Sequence, residues 1–499
     1  MEDTRSMGQG LASSDTLPRS LPSERYIPKA MPTVLGTTDM TTTYLVAVFF
    51  IVNAATAAQG GPAAFTYLIL GAVVFFLPSA IATAQLGAIF PHEGSLYNWT
   101  HRALGGYWSF VVGFCAWFPG VFVIIAGSDI VINLIQGLNP NWLVEPWQQG
   151  GAIIGIIILA ACISLQRTRT VHTLTNMVIA LLGLAVLLIG LAALNWFLRG
   201  HHSMTDFTDA RGWSISWQDP KSSNINLFGL ITLAYLGTEV PLNMGGEITR
   251  LKVASRHILW GTLLTLSGYF IATFSLLAIK GSNVSPFDLV TIVDTTLGKV
   301  AGNITLICII LFFLMVPVIY NCTFARLLLV AGIDQRLPKK VGQLNKNRIP
   351  ANAIIFQSTV AIVITFISFC VVPYVLRLAN PADLSLEVYN ITQASATLVW
   401  AISTTFLFIN LGVFYIRDRR NFRRQLIIPM PVLALCLIIG PISCLLAIID
   451  TLFNAWIPQI PNVNWFYIIG GVTFICIIVA VIGSMFASSA ADWEHFGDL

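Results

Sequence analysis

Thr232-Leu233-Ala234-Tyr235-Leu236-Gly237-Thr238-Glu239-Val240-Pro241-Leu242-Asn243-Met244-Gly245-Gly246-Glu247 is the stretch on which the reading of this chain turns. It sits inside an apolar segment suited to a bilayer, yet Gly237 and Pro241 bracket a Thr-Glu pair in its middle. Proline removes a backbone hydrogen bond and glycine releases the chain, so the helix is expected to unwind near 237–240. Unwound backbone at membrane depth survives only where it lines a polar cavity. The N–H groups that start a half-helix can then hold a carboxylate, and freed carbonyls can hold an amine or a cation. The alternative is a kinked packing helix with no ligand.

The rest of the chain supports a membrane setting. It has 499 residues, 56% hydrophobic and 10% charged, where a soluble protein carries about 25% charged residues. A helix needs about 20 apolar residues to cross a hydrocarbon core. That ruler gives twelve spans, near 41–59, 63–89, 106–136, 150–165, 172–197, 225–249, 257–279, 300–331, 351–373, 386–416, 427–452 and 464–487. The first span is a second candidate for interruption. It runs Phe49-Phe50-Ile51-Val52-Asn53-Ala54-Ala55-Thr56-Ala57-Ala58-Gln59-Gly60-Gly61-Pro62, with Asn53 and Thr56 at depth among small neighbours.

Basic residues orient the spans, because cytoplasmic loops are enriched in Lys and Arg. With a cytoplasmic N-terminus, Arg199, Arg211, Lys221, Lys280, Lys299 and Arg377 fall outside and the other 21 of the 27 basic residues fall inside. Both termini are therefore expected in the cytoplasm. The chain divides into a disordered tail over 1–39, spans one to ten over 40–420, spans eleven and twelve over 421–487, and a tail over 488–499. The eight cysteines lie in or beside apolar runs without metal-site spacing, so they read as small packing residues. Trp142, Trp147, Trp196, Trp260, Trp456 and Trp465, near span ends, read as interfacial anchors. No clustered basic face suggests a nucleic acid, and no catalytic or phosphate-binding motif suggests an enzyme or a cofactor.

If the chain holds two five-span repeats, spans one and six are equivalents, and an odd repeat length makes the second copy enter inverted. Such repeats put the cargo near the midplane between the two broken helices. The expected fold is thus all-α and polytopic, with 12 transmembrane helices, a five-plus-five inverted repeat and discontinuous helices 1 and 6.

Phe90-Pro91-His92-Glu93-Gly94-Ser95-Leu96-Tyr97, followed by Arg102-Ala103-Leu104-Gly105, resembles the signature between spans two and three of the amino acid–polyamine–organocation (APC) superfamily. Leu236-Gly237-Thr238-Glu239 resembles its G-x-E in span six. Phe324-Ala325-Arg326-Leu327-Leu328, Asp334-Gln335-Arg336-Leu337-Pro338 and Arg348-Ile349-Pro350-Ala351-Asn352-Ala353 resemble its stretch after span eight. The likeness covers roughly residues 36–420 and is closest in texture to the glutamate–GABA antiporter branch. It implies alternating access for amino acids or related amines. Carried over by position, it places substrate contacts at Val52, Asn53, Ala54, Ala55 and Thr56, at Tyr235, Leu236, Gly237 and Thr238, and at Tyr320. The family's G-x-G-x-G is absent from span one, where Asn53-Ala54-Ala55-Thr56 stands instead. Span five lacks the lysine of some proton-coupled members, which favours exchange.

A carboxylate at the bilayer centre costs about 2.5–3.5 kcal/mol on insertion scales. Glu239 therefore needs a polar setting or a proton, and it is the first candidate for proton coupling; Asp129 in span three is the second. Either residue can also be a hydrogen-bonded structural acid. Asn321 and Thr323 could offer oxygens to a cation, or cap and back-bond their own helix. The expected function is a secondary carrier in the plasma or cell membrane whose partners are a small amino acid or amine and the lipid bilayer. A proton- or sodium-coupled symporter and, from another class, a membrane solute receptor stand as alternatives.

Overall fold

The computed structural model describes residues 21–216, 224–376, 384–457 and 460–497. In chain order the α-helices are α1 (Pro22–Ala30), α2 (Thr37–Val48), α3 (Asn53–Ala58), α4 (Ala63–Gly71), α5 (Leu77–Ile89), α6 (Ser95–Leu104), α7 (Gly106–Leu138), α8 (Pro146–Ser164), α9 (Thr168–Leu198) and α10 (Leu227–Ala234). Then follow α11 (Lys252–Ile279), α12 (Asp288–Leu297), α13 (Lys299–Ile333), α14 (Ala351–Phe366), α15 (Val372–Leu376), α16 (Leu384–Arg417), α17 (Arg419–Arg424), α18 (Met430–Phe453) and α19 (Asn462–Gly497). Single π turns join α4 to α5 and α14 to α15, so each pair runs as one rod.

Among the described residues, ten helices are long and apolar enough to cross a membrane, from Ala63–Ile89 to Asn462–Ala487. They match ten of the expected spans to within a few residues. The remaining two, 41–59 and 225–249, are the ones expected to be interrupted, and both are. The protein is an all-helical polytopic membrane protein.

Burial sorts the rods by position. The apolar stretch of α7 is 89% buried, whereas that of α19 is 22% buried, so α7 is the central post and α19 lies at the periphery. The largest interfaces of α7 are with α16 and α13. Outward faces carry side chains such as Leu187, Phe366, Ile438 and Phe474, which is the arrangement lipid contact requires.

Three expectations need correction. Residues 22–30, placed in a disordered tail, form α1, which buries Ile27 and is flanked by buried Leu21 and Met31. The short apolar face was hidden among prolines and charges; residues 1–20 lie outside the described region. At the other end α19 continues as helix past Ala487 to Gly497, so most of the expected tail over 488–499 extends the last span. Trp456 and Trp465 are buried, with ring centroids 6.1 Å apart, and pack inside the protein. Trp142, Trp147 and Trp260 are exposed.

Candidate substrate site

The break in the sixth span begins after α10. Tyr235 leaves helical geometry, Gly237 takes φ +98°, and a 3₁₀ segment resumes over Val240–Glu247 with Pro241 in its first turn. Proline fits there because the first turn of a helix has no use for its missing N–H. A Cβ at Gly237 would lie 3.3 Å from both the Ala47 carbonyl oxygen and the Trp400 ring, so the two interrupted spans meet at this glycine.

In the first span α2 ends at Phe49, whose φ −92° and ψ 76° turn the chain out of the helix. The N–H groups of Asn53, Ala54 and Ala55 donate back to Phe50, Ile51 and Val52 at 2.9–3.0 Å, which starts α3. The groups freed by the break thus lie earlier than the expected 52–56 window. Tyr320 donates its hydroxyl to the Ala47 carbonyl at 2.8 Å. The Tyr269 hydroxyl accepts from the Phe50 N–H at 3.1 Å and lies 3.2 and 3.3 Å from the Val48 and Phe50 carbonyls.

Between the breaks lies a narrow cavity of about 10 Å³, room for a single water, lined by Ala47, Val48, Phe50 and Asn53 of the first span, Val123 of α7, Leu233 and Leu236 of the sixth, Tyr320 of α13, and Gln393 and Trp400 of α16. Of the residues expected at the site, the structure brings Asn53, Leu236 and Tyr320 to this cavity. Asn53 accepts from the Tyr389 hydroxyl at 3.2 Å, and Gln393 donates to that same hydroxyl at 3.3 Å. Val52, Ala54 and Ala55 are buried without lining it, and Thr56 is half-buried. Tyr235 points to the other side, where it stacks on Phe76 at 4.6 Å and donates to the Leu68 carbonyl at 3.1 Å. Thr238 is hydrogen-bonded to Thr83 at 3.1 Å.

Glu239 stands at the edge of the site. Trp400 Nε1 donates to its Oε1 at 2.6 Å, while its Oε2 is buried without a hydrogen-bond partner. Asp129 is fully buried in α7, within electrostatic reach of Tyr389. Asn321 and Thr323 are engaged elsewhere. Asn321 Oδ1 accepts from Gln357 at 2.7 Å and Ser358 at 3.2 Å, which ties α13 to α14, and Thr323 back-bonds to Ile319 at 2.9 Å. Trp400, Gln393 and Tyr389 were not singled out from the sequence. Their signal was a polar and aromatic set at 389, 393 and 400, spaced to share one helical face in the middle of a span.

At the α1 end of the molecule the site is closed by a second polar cluster. Arg326 Nε pairs with Glu247 Oε1 at 2.8 Å, with both side chains 1% exposed or less. Glu93, in the turn between α5 and α6, is buried beside them, and burial followed by the Glu247 charge holds its carboxyl well above the usual range. Asp334, just past α13, is pushed up to about 7 by burial.

Two interrupted helices, meeting at a small polar and aromatic cavity inside a bundle of long apolar helices, define a solute transporter of the broken-helix kind. The sequence profile of the family described as "Amino acid permease" matches residues 33–482, and the chain belongs to that family, within the APC superfamily. It is 22% identical over 363 residues to a gamma-aminobutyric acid permease of Bacillus subtilis, covering 69% of this chain and 71% of that one. It is 24% identical over 394 residues to a branched-chain amino acid permease of Lactococcus lactis, covering 72% and 75%. A polyamine transporter of Arabidopsis thaliana is 24% identical over 254 residues, covering 48% and 47%. The protein is an amino acid or amine transporter and not an enzyme.

Proposed function

We propose that this protein exchanges a small amino acid or related amine across the cell membrane by alternating access, with both termini in the cytoplasm. The observation that carries the reading is the cavity bounded by both interruptions, where residues of the broken first and sixth spans and Gln393 and Trp400 of α16 line one small space. Cargo is held, once this space widens in another state of the cycle, between the Ala47–Asn53 stretch, Leu236, Tyr320 and the Gln393–Trp400 face. Spans one to five and six to ten act as two inverted five-span units that rock about the cargo.

The cavity lining includes no Lys or Arg, and the acids nearby are Glu239 and Asp129. That balance suits neutral or cationic cargo, in keeping with the gamma-aminobutyric acid, branched-chain amino acid and polyamine transporters to which the chain is similar. Glu239, with one carboxylate oxygen lacking a partner, is the proton-responsive group, and Asp129, buried in α7 within electrostatic reach of Tyr389, is the second candidate. Exchange is preferred to cation-coupled symport because α9 carries no lysine and because Asn321 and Thr323 spend their oxygens on helix packing.

The test is counterflow in proteoliposomes of the purified protein. Labelled 4-aminobutyrate, leucine or spermidine should accumulate transiently when the unlabelled solute is loaded inside. Specific binding without accumulation under any gradient would point to a receptor and end this reading.

A further inference from the structure

Tyr269 touches both interruptions without lining the cavity between them. It is 1% exposed in α11. Its ring meets Phe49 edge-on at 4.9 Å and Tyr235 edge-on at 5.9 Å, the residues at which the two spans leave helical geometry. Gly268 beside it makes this possible, since a Cβ there would run into the Phe49 ring. The hydroxyl reaches three backbone groups of the first span, the Phe50 N–H and the carbonyls of Val48 and Phe50. A phenol has one proton to donate. Each carbonyl already accepts one backbone N–H, Val48 from Phe50 at 3.2 Å and Phe50 from Asn53 at 2.9 Å, and has one lone pair more. The phenol can fill that second place on only one of them at a time. On the other it stays open to a donor from the cavity, which Val48 and Phe50 both line.

Building on the proposed transport function, we infer that Tyr269 is a positioning residue that holds the first-span backbone open and yields one of these two carbonyls to the ammonium group of the cargo. The residue acts from behind the site, through the backbone it holds. The test compares wild type and Tyr269→Phe in proteoliposomes. Inhibition of labelled exchange is measured for amine-bearing solutes against their des-amino analogues, 4-aminobutyrate against butyrate and leucine against 4-methylpentanoate. The preference for the amine should fall about tenfold in the variant, the size of one lost charge-assisted hydrogen bond. A merely structural tyrosine would weaken both members of each pair alike, and an unchanged ratio overturns the inference. A wild type that carries none of the probes overturns the parent reading instead.

A separate set of contacts concerns α1. Ser23 donates its N–H and hydroxyl to the two oxygens of Asp334, at 2.9 and 3.0 Å. Glu24 accepts from Arg102 Nε and from Asn98 at 2.8 Å each. Ile27 is buried against Gly246. Just beyond, Leu35 exchanges backbone hydrogen bonds with the end of the sixth span, donating to Glu247 and accepting from Thr249 at 3.0 Å each. One short helix thereby ties the end of α13, the start of the α6–α7 unit and the 3₁₀ half of the sixth span together.

The geometry points to α1 as a strap that must lift before the 3₁₀ half of the sixth span can move and open the α1 end of the path. Hydrogen–deuterium exchange on the full-length protein tests it. In Glu24→Arg, exchange over residues 21–31 should rise about tenfold, exchange over 240–249 should rise with it, and Glu24→Arg with Arg102→Glu should restore both. Faster exchange in 21–31 with 240–249 unchanged, or no change in 21–31, overturns the strap. A double variant that fails to restore protection does the same.

Discussion

After α10 the chain breaks at Gly237, held at φ +98°, and restarts at Pro241; after α2 it breaks at Phe49 and Phe50, neither of which has a conformational reason to leave a helix. The first interruption in this comparison is written into its own residues. The second is imposed by neighbours, through hydroxyls of Tyr269 and Tyr320 that reach in from α11 and α13 to hold its freed backbone groups. A backbone-encoded break persists whatever surrounds it. A neighbour-held break lasts only while its hydrogen bonds do, so the first span is the half of the site able to re-form as the protein changes state.

The largest effect should come from attacking the backbone-encoded break. Gly237→Ala puts a side chain on a positive-φ residue and a Cβ 3.3 Å from the Ala47 carbonyl and the Trp400 ring. The strained conformation alone costs about 1–3 kcal/mol, and the clash sits where the two spans meet. Thermal unfolding in detergent should show a clear loss of stability, with exchange reduced beyond what the lost protein explains. Gly183→Ala is the matched control: it lies within α9 with nothing near its Cβ position, and there alanine is the better helix former by about 1 kcal/mol. Equal behaviour of the two variants would dissolve the distinction between the breaks.

Next in size are the groups that cross from the sixth span to α16. Trp400→Phe removes the indole N–H that donates to Glu239 at 2.6 Å, and hydrogen bonds to charged groups contribute about 1.5–3 kcal/mol. Glu239→Gln keeps the shape and removes the titration. Its exchange–pH profile should flatten relative to wild type while its unfolding temperature changes little. A profile that overlays the wild type assigns Glu239 a structural role and removes it from coupling.

The two breaks also differ in how far the sequence disclosed them. Gly and Pro mark a kink wherever they occur in an apolar span, so the 237–240 break and the path of the sixth span were legible, as were the long rods, whose solvent is lipid. The contact window carried over for the first span, 52–56, starts three residues past the observed break at Phe49, because Asn53 and Thr56 are the polar residues at depth while Phe49 and Phe50 look like ordinary helix. Nothing local can reveal a break whose cause is a tyrosine more than 200 positions away, as Tyr269 is. The α16 face was missed for a related reason, since Gln393 and Trp400 acquire meaning only once α16 is known to pack beside the two breaks. Tyr320, carried over from a family resemblance, was found because its position follows the motif after it.

The smallest predicted effect is the most direct probe of the neighbour-held break. Tyr320→Phe leaves the Ala47 carbonyl without its 2.8 Å donor, and Tyr269→Phe removes the hydroxyl bonded to the Phe50 backbone, whose N–H and carbonyl keep backbone partners in Val48 and Asn53. The Tyr320 variant should lower the unfolding free energy by about 1–3 kcal/mol, the cost of an orphaned buried group, and the Tyr269 variant by about 0.5–1.5 kcal/mol, the net worth of one hydrogen bond. Because both hydroxyls hold one four-residue segment, the losses should not add. Once the first hydroxyl is gone the segment is free to re-form helix and satisfy its own carbonyls, so the double variant should be less unstable than the sum, by about 0.5–1 kcal/mol of coupling. Strict additivity would mean that the segment stays open unaided, and the contrast with Gly237 would then be one of location and not of cause.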